Sequence, residues 1–192
     1  MKNSLRFNPK PEWNQTPNAN RYFFGLTTML FDLYSYFQDF KELKMLEIGS
    51  YMGESTFMFA SSGIFKEIHC IDPHIGNEEA NDILQEDWEN VKQEFKTNTR
   101  HFNNITLHSD FSYNVVDKFE DKYFDFIYID ASHEYEDVKK DIELYLPKTK
   151  HLIGGHDYQP EWPGVVKAVN EIFIQPDKTY VEESWLKLVK YN

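Results

Sequence analysis

Five short apolar runs constrain this chain most: Lys44 to Ile48, Glu67 to Asp72, Ile105 to Ser109, Phe124 to Asp130 and His151 to Gly155, most of them separated by a segment of helical periodicity. Runs of this length read as buried strands, and strands alternating with helices predict a parallel sheet covered on both faces. Stripes mark the helices. Phe23, Leu26, Leu30, Leu33 and Phe37 share a face within Tyr22 to Phe37, and Ala80, Leu84, Trp88, Val91 and Phe95 within Glu78 to Phe95. Glu134 to Leu146 groups Tyr135, Val138, Ile142 and Tyr145, carries acids in its first turn and stops at Pro147. Pro163 opens a further helix that ends before Pro176, and two extended runs around Glu183-Ser184 predict a closing antiparallel hairpin.

The first run continues as Met45-Leu-Glu-Ile-Gly-Ser-Tyr-Met-Gly-Glu-Ser-Thr56, an apolar stretch bearing an acid, then two glycines four residues apart. This is a strand, a tight turn and a helix start. Glycine lets backbone approach a ligand closely, and the helix that follows presents unpaired N–H groups. Glu47 stands where a dinucleotide fingerprint has its first glycine, no basic residue lies nearby for a pyrophosphate, and no G-x-x-x-x-G-K-[ST] occurs. An acid there suits a cationic or zwitterionic cofactor. Ligands of open parallel sheets sit beyond the carboxyl ends of the strands, where Asp72 ends the second run. Its carboxylate can accept from both hydroxyls of a ribose, or close a turn before Pro73.

The pattern E-x-G-x-x-x-G-x-S after a first strand resembles motif I of class I S-adenosylmethionine-dependent methyltransferases, and the order of elements from residue 40 to 192 resembles their plan. The resemblance implies an α/β fold: a Rossmann-like three-layer sandwich with a mostly parallel seven-stranded sheet and an antiparallel C-terminal strand, over residues 41–192. Residues 1–40 form an N-terminal extension and helix, with Trp13, Tyr22 and Phe23 either a lid over the site or packed on the core. The implied cofactor is S-adenosylmethionine. Glu47 would meet its methionine ammonium, and Gly49, Ser50, Tyr51, Gly53 and Ser55 belong to the turn along its methionine end. Asp72 would hold the ribose. Asp110 stands where the family contacts adenine, between Ser109 and a Phe111 placed to lie on the ring, and Asp130 closes the site; a helix cap accounts equally well for Ser109 or Asp110.

Asp130 ends the fourth run and is followed three residues later by His133, while the fifth run ends in Gly154-Gly-His-Asp-Tyr158. Adjacent parallel strands would bring Asp130, His133, His156 and Asp157 to one rim, a set able to hold a divalent metal. The segments I-D-x-x-H-x-Y and G-G-H-D-Y, with Pro163-Gly-Val-Val-Lys-Ala-Val169 after them, are similar to a methyltransferase family (Methyltransferase 24-like) that includes macrolide-sugar O-methyltransferases and cephalosporin hydroxylase. By this resemblance Asp130 and Asp157 bind Mg²⁺, residue 156 is a third ligand and His133 is the general base. His156 replaces an acid usual in metal-dependent relatives; its softer nitrogen favours Mn²⁺, Fe²⁺ or Zn²⁺, or frees it for substrate. The implied activity is metal-assisted O-methylation of a small hydroxylated acceptor, a sugar or an aromatic diol. A hydroxylase with iron on His133, His156 and a carboxylate, and a noncatalytic cofactor-binding protein, are the alternatives.

Composition narrows the classes. A net charge of −12 with no Lys/Arg cluster argues against nucleic-acid partners. With 41% hydrophobic residues in 192, a single folded domain is expected. Cys70, the single cysteine, lies in an apolar strand and reads as a core thiol. With no apolar span for a membrane, the expectation is a cytoplasmic protein with a small-molecule substrate, leaving room for a homo-oligomer.

Overall fold

The computed structural model describes residues 19–75, 87–181 and 183–191, with side chains from residue 25 onward. Trp13, the side chains of Tyr22 and Phe23, and the Ala80 and Leu84 positions of a predicted helix lie outside the described residues. All five apolar runs are strands: β1 (Lys44–Ile48), β2 (Glu67–Ile71), β3 (Ile105–His108), β4 (Phe124–Ile129) and β5 (Thr149–Gly155). The C-terminal hairpin supplies β6 (Lys178–Thr179) and β7 (Trp185–Leu188). The sheet has seven strands in the order β3-β2-β1-β4-β5-β7-β6; β1 to β5 are parallel, and β7 runs antiparallel to both β5 and β6.

Among the described residues the α-helices are α1 (Ala19–Tyr36), α2 (Glu54–Ser61), α3 (Trp88–Thr99), the short α4 (Ser112–Val115), α5 (Tyr135–Tyr145) and α6 (Pro163–Phe173). They divide the apolar side chains into two cores, one on each sheet face. Leu26, Leu30, Leu33 and Phe37 near α1, with Met58 and Phe59 of α2 and Phe95 of α3, bury Met45, Ile68, Cys70, Phe126 and Tyr128 on one face. On the other, Val138 and Ile142 of α5 and Val165, Ala168 and Val169 of α6 cover Leu46, Ile48, Ile127, Ile129 and Ile153. Every residue of β4 is buried, as a central parallel strand covered on both faces requires.

Topology positions the site. The chain runs outward from β1 through β2 to β3, then returns to place β4 on the other side of β1. Strand order reverses between β1 and β4, so the loops leaving their carboxyl ends diverge and open a crevice. Among the described residues no helix is long and apolar enough to cross a membrane.

Candidate active site

The crevice is a cavity of about 1020 Å³, with walls that include Gly49, Ser50 and Tyr51 after β1, Asp72 after β2, Phe111 after β3, Asp130 and His133 after β4, and His156 and Asp157 after β5. Gly49 has φ +84°, and a Cβ there would lie 1.9 Å from the Asp130 carbonyl oxygen. The glycine is therefore demanded first by the close approach of the β4 loop. Gly53, at φ +79°, is off the wall; its Cβ would meet Phe95 at 2.9 Å and Thr99 at 3.2 Å, so this glycine serves the packing of α3 on α2.

Asp72 ties the turn together. Its Oδ2 accepts from the backbone N–H of Ser50 at 3.0 Å and of Tyr51 at 2.7 Å, and its Oδ1 accepts from His74 N–H at 2.8 Å. The turn account of this residue is therefore the one its hydrogen bonds carry, and the residue also stands on the cavity wall. The imidazole of His74 is buried, with Nε2 3.0 Å from Tyr51 O and Nδ1 3.1 Å from Asp72 O. In the same turn Ser50 is 2% exposed, and its Oγ is a buried polar atom without a hydrogen-bond partner among the described residues. A buried hydroxyl left unpaired costs about 1–3 kcal/mol, which a ligand in the cavity would relieve.

Across the crevice four side chains converge. His133 Nε2 donates to Asp157 Oδ2 at 3.0 Å, while its ring stacks on Trp162 with centroids 3.7 Å apart. His156 Nδ1 lies 3.0 Å from Asp157 Oδ1 and 4.0 Å from Asp130 Oδ1. One ligand atom from each of Asp130, His156 and Asp157 falls within 4.8 Å of the others. That triplet holds two carboxylates and one imidazole, whereas the hydroxylase alternative named a different set, His133 and His156 with a carboxylate. Asp157 takes φ +60°, and Tyr51 and Glu183 on the same walls also have positive φ. Left-handed conformations of non-glycine residues cost about 1–3 kcal/mol each and concentrate at functional sites.

Comparisons with known proteins decide the family. A model described as a methyltransferase domain matches residues 46–158, from β1 through the Asp157 loop. The chain belongs to this methyltransferase-domain family. Its fold is that of the class I S-adenosylmethionine-dependent methyltransferases, as solved structures also indicate. The O-methyltransferase TomG from Streptomyces achromogenes, in complex with SAM, aligns with TM-score 0.61 at 11% identity over 97% of this chain and 93% of that one. An O-methyltransferase from Bacillus cereus, in complex with SAH, gives 0.55 at 18% identity over 85% and 81%. Cofactor-bound Rv0187 from MTB gives 0.61 at 13% identity over 86% and 81%. No curated protein matches in sequence.

Within this methyltransferase domain the charges at the β4 and β5 ends are strongly interdependent. Burial raises the Asp130 pKa to about 6, opposed by His156. Burial would lower that of His156, but the charge of Asp130, then Asp157 and Glu183, overcomes it and lifts the imidazole to about 9. For Asp157 burial acts upward, yet the hydrogen bonds from His133 and His156 prevail and hold the carboxyl well below the ordinary range. The result is a carboxylate between two imidazoles, with the second carboxylate in reserve.

Some predicted site residues stand elsewhere. Glu47, read as facing the cofactor, is fully buried and off the cavity wall; its two oxygens accept from Ser55 and Thr56, tying α2 to β1, and burial lifts its pKa to about 7 despite those bonds. Ser109 is exposed, and Asp110 accepts from Phe111 N–H and Asn114 Nδ2 at 2.8 Å each; neither lines the cavity, so the local turn claims Asp110. Ser55 touches the wall as well as holding Glu47, and Phe111 lines it with its ring stacked on Tyr113.

Other wall residues escaped the sequence reading. Asp141 is buried and accepts from Ser112 Oγ at 2.5 Å, with a pKa raised by burial to about 6. Its signal was an acid three residues after Val138 and four before Tyr145, inside the apolar stripe of α5. Trp88, assigned to a core face, instead lines the cavity at 6.3 Å from the Tyr51 ring. Trp162 and Glu183 carried no pattern that periodicity detects.

Proposed function

We propose that this protein transfers a methyl group from S-adenosylmethionine to an oxygen of a small hydroxylated acceptor, a sugar or an aromatic diol, with a divalent cation held by Asp130, His156 and Asp157. The observation that carries this reading is the facing of two walls: the glycine turn with its unpaired Ser50 hydroxyl, and the convergent triplet. When bound, S-adenosylmethionine supplies a sulfonium methyl whose carbon–sulfur bond breaks as the carbon–oxygen bond forms. A Mg²⁺ or Mn²⁺ ion held by Asp130, His156 and Asp157 would supply a Lewis acid that lowers the acceptor hydroxyl pKa.

The residues do the rest. Ser50 Oγ and the neighbouring backbone anchor the methionine end, Asp72 stands at the ribose, and Phe111 with Tyr113 offers an aromatic surface to adenine. His133 donates from Nε2 to Asp157, so the acceptor's proton goes to Nδ1, and the stack on Trp162 fixes the ring for that transfer. Positioning of the oxygen in line with the methyl supplies much of the acceleration. Ligation by His156 needs its neutral form, so cation affinity rises as pH approaches 9.

Calorimetry with S-adenosylhomocysteine tests the donor half: micromolar binding is expected, weakened about ten-fold in Ser50→Ala by loss of one hydrogen bond. A purified wild type that binds none of it refutes the proposal. Radiolabelled methyl transfer to a panel of sugars and diols tests the rest, with turnover dropping about 10²-fold or more in His133→Ala. Normal cofactor binding with no transfer to any member would instead support a noncatalytic protein, and full activity in a chelator would remove the cation from the mechanism.

A further inference from the structure

One buried acid on the cavity wall has no part in the transfer as proposed. Asp141, in the middle of α5, is 7% exposed and lines the cavity together with Phe111, Ser112 and Tyr113. Its Oδ1 accepts from Ser112 Oγ at 2.5 Å, and Tyr145, one turn further along the same helix, donates from its hydroxyl to Ser112 O at 2.7 Å. These two bonds fix the start of α4 against α5. Ser112 stands between Phe111 and Tyr113, whose rings are stacked 5.2 Å apart and within 10° of parallel. Apart from the Ser112 bond, Asp141 makes no hydrogen bond or ion pair among the described residues. Ser50 Oγ is the one fully buried, unpaired side-chain polar atom among them, so the unbonded Oδ2 of Asp141 keeps access to a ligand, and the wall it belongs to is that of the cavity. Burial lifts the Asp141 pKa to about 6; the Ser112 bond opposes that shift, and the charges of Asp137 and Lys140 act in opposite directions. Lys140 itself stands over the Tyr113 ring, 3.8 Å from its centroid. A carboxylate this deeply buried with a single donor calls for another.

We infer that Asp141 selects the base of the methyl donor, accepting a hydrogen bond from the exocyclic amine of adenine while Ser112 holds the carboxylate in place. The inference rests on the proposed donor, whose base it makes specific. S-adenosylmethionine offers three sets of donors: the ammonium at its methionine end, the ribose hydroxyls and the amine on the purine. The first two belong to the Ser50 turn and to Asp72, on the loops after β1 and β2. The amine remains for an acid beside the aromatic wall after β3. At the same purine carbon hypoxanthine carries a carbonyl oxygen, which sets acceptor against acceptor and leaves the buried carboxylate without its second donor. Sites built around a buried polar group reject the partner that fails to pair it.

S-adenosylhomocysteine and S-inosylhomocysteine, which differ in the amine or oxo group on the purine, make the test when titrated calorimetrically into the full-length protein. The adenosine ligand is expected to bind at least about ten-fold tighter. Asp141→Asn has the same shape, keeps an oxygen for Ser112 and offers the base an N–H donor, so the preference should fall to within about three-fold or invert. A general loosening of the wall would weaken both ligands alike, so the ratio separates selection of the base from a structural role. Ser112→Ala, which releases the carboxylate, should narrow the ratio as well, and it carries the test if Asp141→Asn shows no cooperative thermal transition. Equal affinities in the wild type, or a ratio that the tested variant leaves unchanged, overturns the inference while the donor site stands. Failure of S-adenosylhomocysteine itself to bind overturns the underlying function and this inference together.

Discussion

Two clusters in this molecule are built from the same groups, imidazoles and carboxylates, and behave in opposite ways. On β2 and β3, His69 Nδ1 lies 2.8 Å from His108 Nε2, and His69 Nε2 2.8 Å from Glu67 Oε1, which also accepts from Tyr123 at 2.6 Å. Phe119 and Phe124 pack against this pair, and none of it lines the cavity. Burial, then the charges of His69 and Lys118, lowers the His108 pKa. At the crevice two carboxylates face His156 and raise it to about 9. Imidazoles facing each other favour neutrality, whereas an imidazole between acids keeps its proton; reactive potential follows from that balance and from access to a cavity.

Substitutions can break this comparison, and the largest effect is expected at the frame that brings the crevice cluster to the motif turn. Gly49→Ala puts a Cβ against the Asp130 carbonyl at a positive φ, so stability to urea should fall by about 3–5 kcal/mol. A loss under about 1 kcal/mol would mean that the β1 and β4 loops are not locked together.

The two clusters should next divide the pH axis. His156 has a folded pKa above its unfolded one, so its stabilisation is complete below pH 6.5 and disappears as pH rises from there to about 9. Asp130, also raised, adds a loss between 3.8 and about 6. His156→Asn should flatten the alkaline limb of the stability curve, an effect of about 2 kcal/mol. His108 has the opposite sign: its depressed pKa contributes stability that is present above pH 6.5 and lost as pH falls below it. His108→Asn should flatten that acid limb by less than about 1 kcal/mol, because solvent screens a partly exposed site. Urea unfolding from pH 5 to 9.5 reads both limbs, and the contrast fails if the two variants alter the same one.

Much of the frame was legible before any coordinates. Each apolar run became a strand within a residue or two, because a central parallel strand must be apolar on both faces and leaves an uninterrupted signature, as in Phe124 to Ile129. Asp130, His133, His156 and Asp157 were legible as a group because parallel neighbours deliver their ends to one rim. Reasons were less legible than residues. Gly49 was recognisable as a turn glycine, but the atom that demands it, a carbonyl eighty-one positions away, belongs to another loop. Glu47 and Asp110 show the limit. Each is an acid in a motif position, and in each case nearby donors on the chain take the carboxylate that the reading gave to a ligand.

The order of strands and helices, the family motifs and the identity of the rim residues were written in the sequence, since periodicity and turn chemistry act over a few positions. Tertiary structure decided which carboxylates face the cavity, which imidazole keeps its proton and which hydroxyl is left unpaired. Those properties depend on burial and on charges brought within a few ångströms from distant parts of the chain, distances that linear spacing does not contain.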